Sequence, residues 1–148
     1  MKVLILSCNT GQGHNSAGMA VREELERRGI PCEMLDALAF ARGNASRTIS
    51  GGYVNMTTRA PVLFGGLYQA GRLISSARRR SPVYYANARY AQPLLDYVEE
   101  NGFDTVVTPH LFPAETLTWL RRRGKLKAAC YAVATDYTCI PFWEETEL

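Results

Sequence analysis

The chain lacks any apolar run approaching the roughly 18 residues that a membrane-spanning helix needs, and its opening "MKVLILSC" is too short an apolar stretch for a secretory leader. It also lacks a CxxC pair. The four cysteines, Cys8, Cys32, Cys130 and Cys139, fall mostly beside apolar, strand-like residues, so reduced thiols are expected, with no disulfide framework and no metal site. There is no internal repeat, low-complexity tract or flexible linker, which excludes solenoids and tethered modules. Most unevenly distributed is negative charge. Between residues 37 and 95 there are eight arginines and no Asp or Glu, so this middle carries +8 while the remainder carries −5, for a net +3. A one-signed field of that kind says little about fold and points to an anionic partner: nucleic acid, nucleotide or lipid surface.

What is present is the composition of a soluble globular protein, 47% hydrophobic and 21% charged over 148 residues, enough for a single core. "VLILS" at 3 to 7 has the length and continuity of a strand buried on both faces of a parallel sheet. A glycine loop follows, then an amphipathic helix from Ser16 to Arg28 in which Ala17, Val21 and Leu25 recur every four residues, with Asn15 expected as its cap and Gly29 as its stop. "CEMLDA" at 32 to 37 completes a βαβ unit. Residues 44 to 101 break the rhythm with two or three helices, restarted at Pro82 and Pro93, the last presenting Leu94, Leu95 and Val98 and ending at "NG" 101 to 102. The alternation returns with a strand at 104 to 110, a helix from about Pro113 to Arg123 with Leu117 and Leu120 inward, and a strand at 128 to 134. The triple arginine 121 to 123 is a cationic helix end before Gly124. The expected architecture is therefore an α/β, Rossmann-like parallel sheet in the order 2-1-3-4, with helices on both faces and a helical insertion. The tail "TDYTCIPFWEETEL" stops without a terminal element, as a fragment of something longer would.

The loop "LSCNTGQGHNSAG" at 6 to 18 puts backbone N–H groups and a helix N-terminus beside whatever binds there. A tight turn without a ligand is the plain structural reading. A Walker phosphate loop is ruled against, because no Lys or Thr follows the glycines. A dinucleotide fingerprint fits better: Gly11 and Gly13 match, Ser16 replaces the third glycine, and Asp36 stands about twenty residues on, where a ribose partner would be. Against it, His14 projects a bulky ring where the dinucleotide would pass. As a third possibility His14 is a catalyst, since an imidazole with an ordinary pKa of about 6.5 can accept a proton from a hydroxyl at neutral pH.

"GQGHNSAG" at 11 to 18, "APVLFGGLY" at 60 to 68, "TPHLFPA" at 108 to 114 and "TDYTCIPFW" at 135 to 143 together resemble the N-terminal, acceptor-side domain of the monogalactosyldiacylglycerol synthase and processive diacylglycerol glucosyltransferase family. The likeness covers almost the whole chain. The glycine-histidine loop is only moderately specific, being similar to that of the muramyl-pathway N-acetylglucosaminyltransferase; with "TDYTCIPFW" it is much more so. The resemblance implies one lobe of a two-lobed GT-B enzyme, residues 1–148 being the acceptor domain, that transfers a hexose from a UDP-sugar to diacylglycerol or a related lipid with inversion. It implies His14 as general base, Asp136 orienting His14 or holding its charged form, and Gly11, Gly13 and Asn15 as the loop that acceptor and donor approach. His110, Thr135 and Tyr137 would line the acceptor cleft. Phe64, Arg72, Arg78, Arg79 and Arg80 would meet an anionic membrane, placing the protein in the cytoplasm as a peripheral enzyme on the inner face of the cell membrane. No tightly bound cofactor and no metal is implied. The UDP-sugar would be held mainly by a C-terminal donor domain beyond Leu148, without which the fragment should be inactive. Two rivals stay open: a nicotinamide-binding Rossmann domain, and a non-enzymatic nucleic-acid binder using the basic segment, though no reading motif for nucleic acid is visible.

Overall fold

The computed structural model of the protein describes residues 1–10, 12–41, 80–136 and 142–148. Gly11, Phe64, Arg72, Arg78, Arg79, Tyr137 and Cys139, and the part of the helical insertion before Arg80, lie outside the described residues. Strands β1 (Val3–Ser7), β2 (Cys32–Asp36), β3 (Thr105–Thr108) and β4 (Ala129–Ala132) form one sheet in the order β2-β1-β3-β4, every pair parallel. β1 is central, and its five residues are all buried, as a continuous apolar run between two neighbours requires. Leu4, Ile5 and Leu6 are fully excluded from solvent, each contributing about 1.5–3 kcal/mol.

Helices cover both faces. On one side Leu4, Leu6 and Val106 pack with Leu94 and Val98 of α3 (Ala91–Glu100) and Leu117 of α4 (Leu111–Arg122). On the other lies α1 (Gln12–Arg27), whose Gly18 faces Met34 of β2 and Ile5 of β1. Between the sheet's first and second halves a short helix α2 (Pro82–Asn87) starts with proline at its first position, and the Ser81 hydroxyl accepts a hydrogen bond from Tyr84 N at 3.2 Å. Gly29, Gly102 and Gly124 follow α1, α3 and α4 with φ of 68°, 65° and 64°, the left-handed conformation that ends a helix at least cost without a Cβ.

Two helix starts differ from expectation. α1 begins at Gln12, so Asn15 is inside the first turn; its side chain accepts from Ser7 Oγ (2.6 Å) and donates to Asn9 Oδ1 (3.1 Å), tying the helix to the loop after β1. α4 begins at Leu111 because the His110 ring caps it, Nδ1 accepting from Phe112 N at 3.1 Å. An imidazole is not among the residues that usually cap helices, which is why Pro113 looked like the start.

The chain's last described segment is anchored on α2 and α4. Glu145 is fully buried and accepts from Ser81 N (2.9 Å) and Ser81 Oγ (3.2 Å), while Glu147 N donates to Thr118 Oγ1 (2.9 Å). Arg80 departs from the expectation of a membrane contact. Its side chain is only 10% exposed, with Nη1 on the Glu145 carbonyl and Nη2 on Glu147 Oε1, both at 2.7 Å, because a carbonyl and a carboxylate converge where the guanidinium fork reaches both. Among the described residues no helix is long and apolar enough to cross a membrane.

Candidate functional site

In a parallel sheet every strand delivers its following loop to the same edge. Here that edge collects the Cys8–Thr10 loop and α1 from β1, Pro109 and His110 from β3, and Thr135 and Asp136 from β4, the position where open α/β sheets bind ligands. The glycine loop, the "TPH" stretch and the "TD" pair are therefore neighbours, although about a hundred residues separate the first from the others.

His14 is the third residue of α1 and is half-buried. Its Nδ1 lies 2.9 Å from the Pro109 carbonyl and 2.8 Å from Thr135 Oγ1. A carbonyl can only accept, so Nδ1 carries the proton and donates, and a neutral His14 keeps its lone pair on Nε2. Nε2 makes no hydrogen bond among the described residues. Gly13 lies exposed immediately before it, with nothing near the position a Cβ would take.

His110 stands behind His14, the rings meeting edge to face with centroids 4.5 Å apart. It is 6% exposed and both nitrogens are in use: Nδ1 accepts from Phe112 N, so Nε2 carries the proton and donates to Thr10 Oγ1 at 2.7 Å. Burial, with a smaller contribution from the charge on His14, pushes its pKa down to about 3. His110 is thus a neutral, doubly bonded ring that supports His14 from inside, where an open cleft lining was expected.

Asp136 is exposed and accepts from Trp143 Nε1 at 3.4 Å; no hydrogen bond joins it to His14. Its neighbour Thr135 makes that contact. The sequence reading placed Thr135 in the cleft but missed Pro109 and Thr10, which show no signal beyond standing at strand ends. Asp36, the expected ribose partner of a dinucleotide, is occupied within the fold: Oδ1 accepts from Leu38 N and Oδ2 from Asn9 Nδ2, each at 3.0 Å. It caps the one-turn helix Ala37–Phe40.

The family model described as monogalactosyldiacylglycerol (MGDG) synthase matches residues 14–148, from the site histidine to the last residue. The chain belongs to the monogalactosyldiacylglycerol synthase family. Family membership supports a glycolipid glycosyltransferase acting on diacylglycerol. No curated protein and no solved structure matches the chain.

Proposed function

We propose that this domain is the acceptor-side lobe of an inverting, GT-B-type enzyme moving a hexose from a UDP-sugar to diacylglycerol, with His14 as general base. The observation that carries this reading is the fixed orientation of His14: Nδ1 is committed to Pro109 and Thr135, and Nε2 is left as the basic atom. In the reaction the free hydroxyl of diacylglycerol attacks the anomeric carbon of the sugar. Its proton passes to Nε2 as the new C–O bond forms, and the bond to UDP breaks with its electron pair leaving on the diphosphate. Attack opposite the leaving group inverts the anomeric centre. The exposed backbone at Gly13 gives both substrates room beside the ring. Asp136 contributes negative charge at the cleft rim. A second domain, after this one, holds the UDP-sugar.

An acceptor dissolved in a bilayer draws the enzyme to a membrane, here the cytoplasmic face, as a peripheral protein. The basic segment supports that placement. Tyr85 and Arg89, one helical turn apart, are exposed, and Phe64, Arg72, Arg78 and Arg79 extend the same stretch of sequence. Each surface arginine contributes about 1 kcal/mol to binding anionic lipid.

The test is the full-length enzyme carrying His14→Ala, assayed with labelled UDP-hexoses and diacylglycerol in anionic vesicles. Loss of a general base lowers kcat by roughly 10² to 10⁴. Turnover within a few-fold of the parent would remove His14 as the base.

A further inference from the structure

We propose that Thr135 is a positioning residue for His14, supplying from β4 the orienting contact that the sequence assigned to Asp136. The proposal rests on the reading of His14 as base and adds the group that makes it one. The hydroxyl lies 2.8 Å from His14 Nδ1 and 3.4 Å from the Pro109 carbonyl. One arrangement of protons satisfies all three atoms. Nδ1–H is shared between the carbonyl and the Thr135 oxygen, and the Thr135 hydroxyl turns its own proton to the carbonyl. The reverse, with Thr135 donating to an unprotonated Nδ1, would set a nitrogen lone pair against the carbonyl oxygen at 2.9 Å, which is repulsive. The carbonyl thus selects the Nδ1–H tautomer, and Thr135 gives that proton a second acceptor.

It also acts during the reaction. When Nε2 takes the acceptor's proton the ring becomes an imidazolium, and hydrogen bonds from a charged donor are about twice as strong as neutral ones. Two acceptors on Nδ1 hold the charged ring better than one. Their effect grows from ground state to transition state, so Thr135 acts on kcat with no change in substrate binding. Three separate segments meet at this nitrogen: α1, the turn after β3 and the loop after β4. His110 meets the ring edge to face but is bonded elsewhere through both nitrogens and offers His14 no acceptor. The geometry leaves Thr135 as the side chain that orients His14.

The experiment replaces Thr135 by Val, which keeps the shape and removes the hydroxyl, and by Ser, which keeps the hydroxyl, in the full-length enzyme with UDP-hexose and diacylglycerol in anionic vesicles. Thr135→Val lowers kcat by roughly ten-fold with KM for both substrates within two-fold, as loss of one charge-assisted hydrogen bond predicts. Thr135→Ser stays within about three-fold of the parent in kcat. In a His14→Ala background, Thr135→Val costs nothing further, because the two residues act as one unit. Should Val fail to fold, Thr135→Ala carries the same prediction. The proposal is overturned by a kcat for Thr135→Val within two-fold of the parent, by a change confined to KM, or by Ser as slow as Val. An active His14→Ala enzyme would instead strike down the base assignment itself, so the two failures are told apart by one panel of variants.

Discussion

At the scale of single residues, the Pro109 carbonyl, which can only accept, fixes the His14 proton on Nδ1 and leaves the lone pair on Nε2. His14 was legible because a titratable ring between Gly13 and Asn15 at a strand-to-helix turn is poorly explained by packing alone. Asp136 and Thr135 were legible as a pair, but which of them turns toward His14 depends on the exit angle of β4, and one residue of rotation decides it. Arg80 shows the same limit. In sequence it is one more cation in a run of three; in space it spans Glu145 and Glu147 and lies 5.3 Å from the centre of the Tyr84 ring. Arg80→Ala should therefore act on stability, at a cost of roughly 1–3 kcal/mol, because it strips a buried carbonyl of its charged donor. Lysine should not restore the loss, since a single ammonium cannot make the forked contact. Thermal unfolding measures the first effect, and vesicle co-sedimentation should show affinity for anionic lipid unchanged. A variant of parental stability that has lost vesicle binding would return Arg80 to the membrane surface.

At the scale of elements, the sheet order was readable because short strand-like segments alternate with helical patterns in the sequence, which leaves parallel right-handed crossovers as the available topology. Helix boundaries were less readable, since side chains far away in sequence decide them. Asn15 was expected to cap α1 but is claimed by Ser7 and Asn9, and His110 became the cap of α4 because Thr10 holds its other nitrogen. Gly18 had a role that no loop motif reveals. A Cβ there would sit 2.8 Å from Met34 Cε and 3.5 Å from Ile5 Cγ2, so the glycine sets how closely α1 lies on β1 and β2. The nearer obstacle is the free end of a thioether, which can swing aside. Gly18→Ala should therefore stay within about 1 kcal/mol of the parent, the gain in helix propensity offsetting the Met34 shift. Gly18→Leu drives side-chain volume onto Ile5 in the central strand and should cost about 1–3 kcal/mol or more. Urea unfolding of the two variants checks both, and equal stability for Leu and Ala would show that α1 rides higher on the sheet than described.

At the scale of the whole molecule, two buried groups held neutral at and near the start of α4 shape how stability depends on pH. Burial, aided by His14, lowers the His110 pKa from its ordinary 6.5 to about 3. Burial raises that of Glu115 from 4.5 to about 8, opposed by the hydrogen bond from Asn87 Nδ2, reinforced by the nearby Glu145 and opposed again by Arg80. As pH falls from 6.5 toward 3, the unfolded chain protonates its histidine while the native one does not, and stability is lost. As pH rises from 4.5 toward 8, the unfolded chain releases the Glu115 proton while the native one keeps it, and stability is again lost. Between 4.5 and 6.5 the two slopes have opposite sign and cancel. The domain should show a stability plateau there, with limbs on either side no steeper than about 1.4 kcal/mol per pH unit for each group. Each limb belongs to a different residue, so they separate by mutation. Glu115→Gln, which retains an acceptor for Asn87, should flatten the alkaline limb between 6.5 and 8, leave the limb below 4.5 unchanged and extend the acid slope through the former plateau up to 6.5. His110→Asn, which retains a helix cap, should move the stability maximum down toward pH 4.5 by removing the opposing slope. Unfolding midpoints in urea measured across this range read both, and an alkaline limb that survives in Glu115→Gln would mean that Glu115 is already ionised in the native domain.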